Sequence, residues 1–188
     1  MSVKGRIVVI DDEVNAAAAL ETLLKEDGYD VARAHDARGG LLLLEKHDPD
    51  VVLTDLRMPG MDGIELLAKI KEMRPETMVI VMTAYGTVKT AVKAMKLGAE
   101  DYLSKPIDVE ELEVVLQKAL DKKGLLAEIS NSISSNEANI TNARVDTTDE
   151  KKAVLTFEME IQDLGHLRKV IRDLEKIKGV TRVERMRV

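Results

Sequence analysis

Carboxylate, hydroxyl and ammonium groups follow several short apolar stretches of this 188-residue chain. They are Asp11, Asp12 and Glu13 after the first stretch, Asp55 after the third, Thr83 after the fourth, and Ser104 and Lys105 after the fifth. If the apolar stretches are parallel strands, their carboxyl ends meet at one edge of a sheet, where open sheets of this kind bind ligands. The spacing therefore predicts a site that combines carboxylates, hydroxyls and an ammonium.

Such a set of groups favours the transfer of a phosphoryl group to an aspartate. Close carboxylates repel each other, and a hard divalent cation such as Mg²⁺ relieves that repulsion through oxygen ligands. An aspartate in this position can act as a nucleophile and form an acyl phosphate. A hydroxyl and a lysine can then donate charge-assisted hydrogen bonds to the phosphoryl oxygens. Any one of these acids alone is better explained as a helix cap, so the hypothesis depends on their joint position.

The elements that must position these groups alternate between strand and helix patterns over the first two thirds of the chain. The predicted strands span residues 6–10, 30–34, 51–54, 78–82 and 101–103, and the predicted helices span residues 12–27, 37–47, 62–73, 87–97 and 108–122. Short, continuous apolar runs are typical of parallel strands that are buried on both faces. Five such units predict an α/β fold with an open, doubly wound sheet rather than a barrel of eight units.

The segments around the predicted site resemble those of response-regulator receiver domains, and they are nearest the NtrC class. Four motifs carry the resemblance: Val-Ile-Asp-Asp-Glu13, Val-Val-Leu-Thr-Asp55-Leu-Arg-Met-Pro-Gly-Met-Asp-Gly63, Met-Thr-Ala-Tyr-Gly86 and Tyr-Leu-Ser-Lys-Pro106. The resemblance covers about residues 4–122 of the chain. It implies a CheY-like, flavodoxin-like fold, which has a five-stranded parallel sheet of strand order 2-1-3-4-5.

The same resemblance implies a role for each residue of the predicted site. Asp55 is the implied phosphoacceptor, with Thr83 and Lys105 as contacts of the phosphoryl group. The implied ligands of Mg²⁺ are Asp11, Asp12, Asp55 and the backbone carbonyl of Arg57. Thr83 is expected to couple the phosphoryl group to a rotamer switch at Tyr102. The peptide bond before Pro106 is expected to be cis, as that family has it.

A receiver of this kind implies a phosphoacceptor switch in two-component signal transduction. A histidine kinase is the expected partner, and it donates a phosphoryl group to Asp55 in a Mg²⁺-dependent reaction that changes the conformation of the domain. The chain is not expected to be a turnover enzyme. A metal-dependent phosphatase built on Asp11 and Asp55 is disfavoured because no second general acid stands beside Asp55.

The last third of the chain has a different, α+β pattern. The predicted elements are helices over residues 124–135 and 163–178 and strands over residues 138–146, 152–161 and 180–188. Residues 124–140, together with residues 152–158 and 164–183, resemble an ACT domain of the RelA/SpoT kind, a small ferredoxin-like module that regulates or dimerises. An ACT domain needs a first strand before its first helix, and here the fifth receiver helix occupies that place. We therefore expect a receiver over residues 1–122 and a partial ACT-like module over residues 123–188, without amino-acid binding.

Composition excludes several other functions. The net charge of −6 disfavours nucleic-acid binding, which requires clustered basic residues. The absence of cysteine excludes thiol catalysis and cysteine-bound zinc. No run of 18 apolar residues is present to span a membrane, and the first residues do not resemble a signal peptide, so a cytoplasmic location is expected.

The first two helices contain unusual apolar runs, namely residues 16–19, which are all alanine, and residues 41–44, which are all leucine. A helix that is apolar on every side is normally covered on more than one side. The runs are either sequence drift or a docking surface, so a homo-oligomer is expected through these helices or through the C-terminal module. The alternative to a signalling switch is an engineered or scaffold fusion in which the receiver is only a stable fold.

Overall fold

The computed structural model describes residues 3–84, 87–147 and 153–186. The chain divides into two compact units between Lys123 and Gly124. Tyr85 and Gly86 of the third motif lie outside the described residues, as do residues 148–150 of the turn that the sequence predicts between the two C-terminal strands. Side chains are described for all of these ranges except residues 143–147 and 153.

The first unit has the predicted alternation of strands and helices. Its strands are β1 (Arg6–Ile10), β2 (Asp30–Ala34), β3 (Val51–Asp55), β4 (Met78–Thr83) and β5 (Asp101–Ser104). Its helices are α1 (Val14–Glu26), α2 (Ala37–His47), α3 (Gly63–Met73), α4 (Val88–Lys96) and the start of α5 (Val109–Ser135). All neighbouring strands are parallel, and their order is β2-β1-β3-β4-β5. The predicted doubly wound, flavodoxin-like fold is confirmed.

The apolar runs form strands because both faces of the central sheet are covered by helices. Every residue of β3 and β4 is buried, which explains why their sequences lack the polar alternation of a half-exposed strand. Helix α3 begins with a capping box, in which Asp62 accepts from the N–H of Glu65 while Glu65 accepts from the N–H of Asp62. The bond between Lys105 and Pro106 is cis, as expected.

The leucine run of α2 is largely used by the receiver's own core. Leu44 is buried, and Leu41 and Leu43 are partly buried and pack against the core cluster. Leu42 is the member of the run that is exposed. Most of the apolar character of this helix therefore needs no second subunit to cover it.

The second unit consists of the end of α5, an antiparallel pair of strands and one further helix. The strands are β6 (Asn139–Thr147) and β7 (Ala153–Glu160), and the helix is α6 (Leu164–Leu174). Its core contains Ile129 and Ile133 from α5, Val170 and Leu174 from α6, and Ala138. The α+β character of the module is confirmed.

Two predicted features of this region are wrong. The break between helices near Lys122 is absent, because Gly124 continues α5 and does not adopt a positive φ angle. A glycine inside a helix costs only about 1 kcal/mol, which the surrounding helix-forming residues offset. The predicted strand over residues 180–188 is also absent over its described part, residues 180–186. Its ladder partner would be the strand that an ACT domain has before its first helix, and this chain uses that stretch as α5.

Candidate functional site

The predicted site residues meet at the carboxyl edge of the first unit's sheet. Asp11 and Asp12 follow β1, Asp55 ends β3, Thr83 ends β4, and Lys105 follows β5. Asp11, Asp55 and Thr83 are buried, whereas Asp12 is exposed. Because parallel strands all end at the same edge, residues far apart in the chain come together here.

Three carboxylates form a cluster that suits a single cation. One oxygen from each of Asp11, Asp12 and Asp55 lies within 4.8 Å of the others. Carboxylate oxygens are the ligands that hard divalent cations such as Mg²⁺ prefer, and the cation would offset the mutual repulsion of the acids. These three residues therefore fit the metal role that the sequence predicts for them. The fourth implied ligand, the backbone carbonyl of Arg57, stays a prediction.

The ammonium of Lys105 joins two of these acids. Its Nζ lies 2.6 Å from Asp55 Oδ2 and 2.7 Å from Asp11 Oδ2. Burial of the ammonium acts to lower its pKa, but its hydrogen bonds to Asp11 and Asp55 outweigh that effect and hold the pKa of Lys105 above its ordinary value. Lys105 is therefore a permanent cation at physiological pH, close to the predicted acceptor oxygen.

Backbone N–H groups hold the remaining oxygens of the two buried acids. The N–H of Glu13 donates to Asp11 Oδ1 over 3.0 Å, and the N–H of Arg57 donates to Asp55 Oδ1 over 3.2 Å. Each carboxylate is thus oriented by one backbone donor and one ammonium. These contacts restrict the rotation of both carboxylates.

Gly63 is a positioning residue that the sequence analysis did not single out. A Cβ atom at this position would collide with the backbone carbonyl oxygen of Asp55 and would lie 2.8 Å from Leu56 Cα. The N–H of Gly63 also donates to the carbonyl of Leu56 over 2.8 Å. The sequence did contain a signal for this role. Glycine is a poor helix former, so its presence at the first position of a helix indicates that a side chain does not fit there.

Thr83 and Tyr102 lie on neighbouring strands. Thr83 is paired in register with Ser104, and Tyr102 is paired with Val81, so the two residues are offset by two positions across β4 and β5. The Tyr102 hydroxyl is buried, and it has no hydrogen-bond partner within the described ranges of the chain. A buried hydroxyl without a hydrogen bond has an unfavourable free energy, so a different rotamer that provides a partner would be favoured. Its coupling to Thr83 stays a prediction.

An open, mostly apolar cavity of about 470 Å³ adjoins the site. Helix α1 contributes Ala16, Ala19, Leu20 and Leu23 to its wall, and the segment after Lys105 contributes Pro106 and Ile107. Asp11, Glu13 and Lys105 are the polar residues of its lining. Two members of the alanine run of α1, Ala16 and Ala19, therefore line a groove that includes the lysine bonded to Asp55.

Comparison with known sequences assigns both units to families. The response regulator receiver domain matches residues 7–117, and the ACT domain matches residues 111–185. The chain belongs to the response regulator receiver family and continues into an ACT domain. Both matches include residues 111–117, which the structure places in α5. The start of the ACT match is therefore helical in this chain, and the described part of the C-terminal sheet has two strands.

Curated proteins with similar sequences are regulatory proteins, and two of them, ZraR and FixJ, are named transcriptional regulatory proteins. Regulatory protein AtoC of Escherichia coli is 42% identical over 129 residues, which cover 69% of this chain and 28% of AtoC. Transcriptional regulatory protein FixJ of Bradyrhizobium diazoefficiens is 40% identical over 120 residues, which cover 64% of this chain and 58% of FixJ. The match with transcriptional regulatory protein ZraR of Escherichia coli spans 26% of ZraR, so the chain matches only part of each of these regulators.

Solved structures support the receiver fold. A response regulator receiver domain protein from Clostridium thermocellum superposes with a TM-score of 0.62 at 36% identity, covering 64% of this chain and 98% of that one. NtrX from Brucella abortus gives a TM-score of 0.64 at 32% identity, covering 68% of this chain and 29% of NtrX.

Within the described residues, no helix has both the length and the hydropathy that crossing a bilayer requires.

Proposed function

We propose that this chain is a switch of two-component signalling that accepts a phosphoryl group on Asp55 from a histidine kinase. The observation that carries the proposal is the surroundings of the Asp55 carboxylate, which clusters with Asp11 and Asp12 and bonds the ammonium of Lys105. Membership of the receiver family supports the phosphoacceptor role. The histidine kinase and the metal requirement are the finer parts of the proposal.

The chemistry follows from the groups at the site. An oxygen of the Asp55 carboxylate attacks the phosphorus of a phosphohistidine, an O–P bond forms, and the P–N bond breaks so that the imidazole leaves with its electron pair. A Mg²⁺ held by Asp11, Asp12 and Asp55 would neutralise charge on the incoming phosphate. Lys105, which already lies within hydrogen-bond distance of Asp55, donates to a phosphoryl oxygen of the product.

The new group changes the local electrostatics enough to favour a second conformation. Phosphorylation replaces the single negative charge of the Asp55 carboxylate with a phosphoryl group that carries about −1.5 to −2 units of charge. Lys105 then exchanges part of its bonding from Asp11 to the phosphoryl group. Thr83 and Tyr102 lie on the neighbouring strands β4 and β5. The Tyr102 hydroxyl is buried without a hydrogen-bond partner among the described residues, so a rotamer that gives it a partner is favoured. The conformational response is therefore expected along β4 and β5.

The groove beside α1 supports docking of a helical kinase segment. An apolar helix face would fit this mostly apolar cavity of about 470 Å³. Its lining includes Lys105, which bonds Asp55, so a histidine on that helix would lie near the acceptor. The scaffold alternative has no support, because the three carboxylates of the acidic site are all present among the described residues.

The absence of turnover activity, the cytoplasmic location, the lack of nucleic-acid binding and homo-oligomerisation are further proposals. So is the division into a receiver of residues 1–122 and a module of residues 123–188.

The test is incubation of the full chain with acetyl phosphate and Mg²⁺, followed by intact-mass measurement. Wild type should gain one phosphoryl group, and Asp55→Asn should gain none. Asp30→Asn is the matched control, because Asp30 is an exposed aspartate at the start of β2. Equal labelling of wild type and Asp55→Asn would overturn the proposal.

A further inference from the structure

Two consecutive lysines tie helix α5 to acids of the receiver sheet. Lys122 Nζ lies 2.6 Å from Glu100 Oε2, and Lys123 Nζ lies 2.9 Å from Asp50 Oδ1. The side chains of Lys122 and Glu100 are 25% and 8% exposed, and those of Lys123 and Asp50 are each 22% exposed. Ion pairs this well shielded are screened less by salt than surface pairs, so they hold the helix in place.

Each of the two acids lies directly before a strand of the sheet. Asp50 immediately precedes β3, the strand that ends with Asp55. Glu100 immediately precedes β5, the strand that is followed by Lys105. Asp55 and Lys105 thus lie at the carboxyl ends of β3 and β5. At the amino ends of the same two strands, Asp50 and Glu100 bond the lysines of α5.

Both acids are themselves fixed to the sheet through the backbone. The N–H of Glu100 donates to the carbonyl of Val79 over 2.7 Å. Asp50 Oδ2 accepts from the N–H of Arg6 over 2.7 Å, and the N–H of Asp50 donates to the carbonyl of Arg6 over 2.8 Å. A shift of β3 or β5 therefore carries its acid, and the lysine bonded to that acid, with it.

The same helix continues directly into the core of the second unit. Lys123 is the last residue of the first unit, and Gly124 continues α5 without interruption. Ile129 and Ile133, about one and a half and two and a half turns beyond Gly124, are buried in the core of the second unit. The lysines and the two buried isoleucines therefore belong to one continuous helix.

We propose that the Lys122–Glu100 and Lys123–Asp50 pairs couple the phosphoryl state of Asp55 to the stability of α5 within the ACT-like unit. This inference rests on the proposed function. Phosphorylation draws Lys105 away from Asp11 and changes the forces on β3 and β5 at one edge of a closely packed sheet. The strands transmit the change to Asp50 and Glu100, which alter their hold on the helix. The property that should change is the rate at which the backbone hydrogen bonds of α5 open over residues 124–135.

Hydrogen–deuterium exchange on the full chain tests this coupling, with beryllofluoride and Mg²⁺ as the phosphoryl analogue. In wild type, peptides within residues 124–135 should change their exchange rate by roughly fivefold, the lower range of typical coupling between sites. Glu100→Gln should lose most of that change. Lys122→Met removes the same pair from the other side and keeps an apolar stem, so it should behave like Glu100→Gln.

The matched control is Glu21→Gln, which removes ion pairs with Lys25 on α1 and with Arg33 on β2 and should retain the full response. Peptides over residues 51–57 report whether the analogue occupies the site. If these peptides do not respond in wild type, the proposed function itself fails. If they respond while residues 124–135 do not, or if both pair variants retain the wild-type response, the coupling is overturned.

Discussion

The ammonium of Lys105 lies 2.6 Å from the carboxylate of Asp55, and it contacts Asp11 at almost the same distance. One cation thus offsets the repulsion between two buried acids. A metal ion and a phosphoryl group would both compete for the contacts that Lys105 now makes. The relationship predicts that removing this side chain changes stability and metal dependence together.

Lys105→Met should make the stability of the receiver depend on Mg²⁺. Without the ion, two close carboxylates lose their shared cation, and we expect the free energy of unfolding to fall by about 3 kcal/mol. Millimolar Mg²⁺ should restore part of this loss in the variant and have a smaller effect on wild type. Urea denaturation with and without Mg²⁺ measures the difference. A variant as stable as wild type without the ion would contradict this view of Lys105.

Asp12→Asn should weaken Mg²⁺ binding without affecting the fold. Asp12 is exposed, so its substitution should change the free energy of unfolding by less than about 0.5 kcal/mol. Loss of one anionic ligand from three should lower the affinity for Mg²⁺ by roughly tenfold or more. Isothermal calorimetry gives the affinity, with Asp30→Asn as the control that should bind normally. Unchanged binding in Asp12→Asn would exclude Asp12 as a ligand.

Alanine at two glycines should have opposite effects. In Gly63→Ala the new methyl group meets the backbone of Asp55 and Leu56, and we expect a loss of about 2 kcal/mol in stability. Gly124 lies inside α5, and nothing beyond its chain neighbours and the adjacent helix backbone lies within 4 Å of the added methyl group, so Gly124→Ala should gain about 0.5–1 kcal/mol. Thermal unfolding of both variants checks the pair of predictions. A destabilising Gly124→Ala would argue against an uninterrupted helix at this position.

Asp50 should contribute stability that is lost in acid. Burial of its carboxylate acts to raise its pKa, but hydrogen bonds from Lys123 and from the N–H of Arg6 outweigh burial and hold the pKa of Asp50 below its ordinary value. A lowered folded-state pKa means that the contribution is present above about pH 4 and disappears as the pH falls through the folded-state value. Asp50→Asn should therefore lower stability at pH 7 and flatten its dependence on pH below about 4. Denaturation curves measured from pH 7 to pH 2.5 would show whether the two proteins converge in acid.

The sequence was sufficient for the receiver and its reactive edge because the relevant signals are local. A strand buried on both faces is a continuous apolar run, and the residue directly after each run lies at the carboxyl edge of the sheet. Asp11, Asp55, Thr83 and Lys105 could therefore be brought together from their places in the chain alone. The capping residue Asp62 was likewise predicted as the start of a helix, although the tight contact at Gly63 was not.

The second unit shows what the chain order alone could not settle. Gly124 is compatible with the end of a helix and with its interior, and the difference of about 1 kcal/mol is decided by what its neighbours contact. Residues 180–186 have the composition of a strand, yet a strand exists only where another backbone offers its hydrogen bonds.

By itself, the sequence determined the receiver fold, the groups of its acidic edge and the ACT-like character of the last third. Only the tertiary structure decided that Lys122 and Lys123 bind acids at the starts of β5 and β3, and that one helix serves both units. Those pairs join residues 22 and 73 positions apart, and charged residues on a helix surface have many possible partners. Their pairing depends on where the packed sheet places each acid, which no local pattern records.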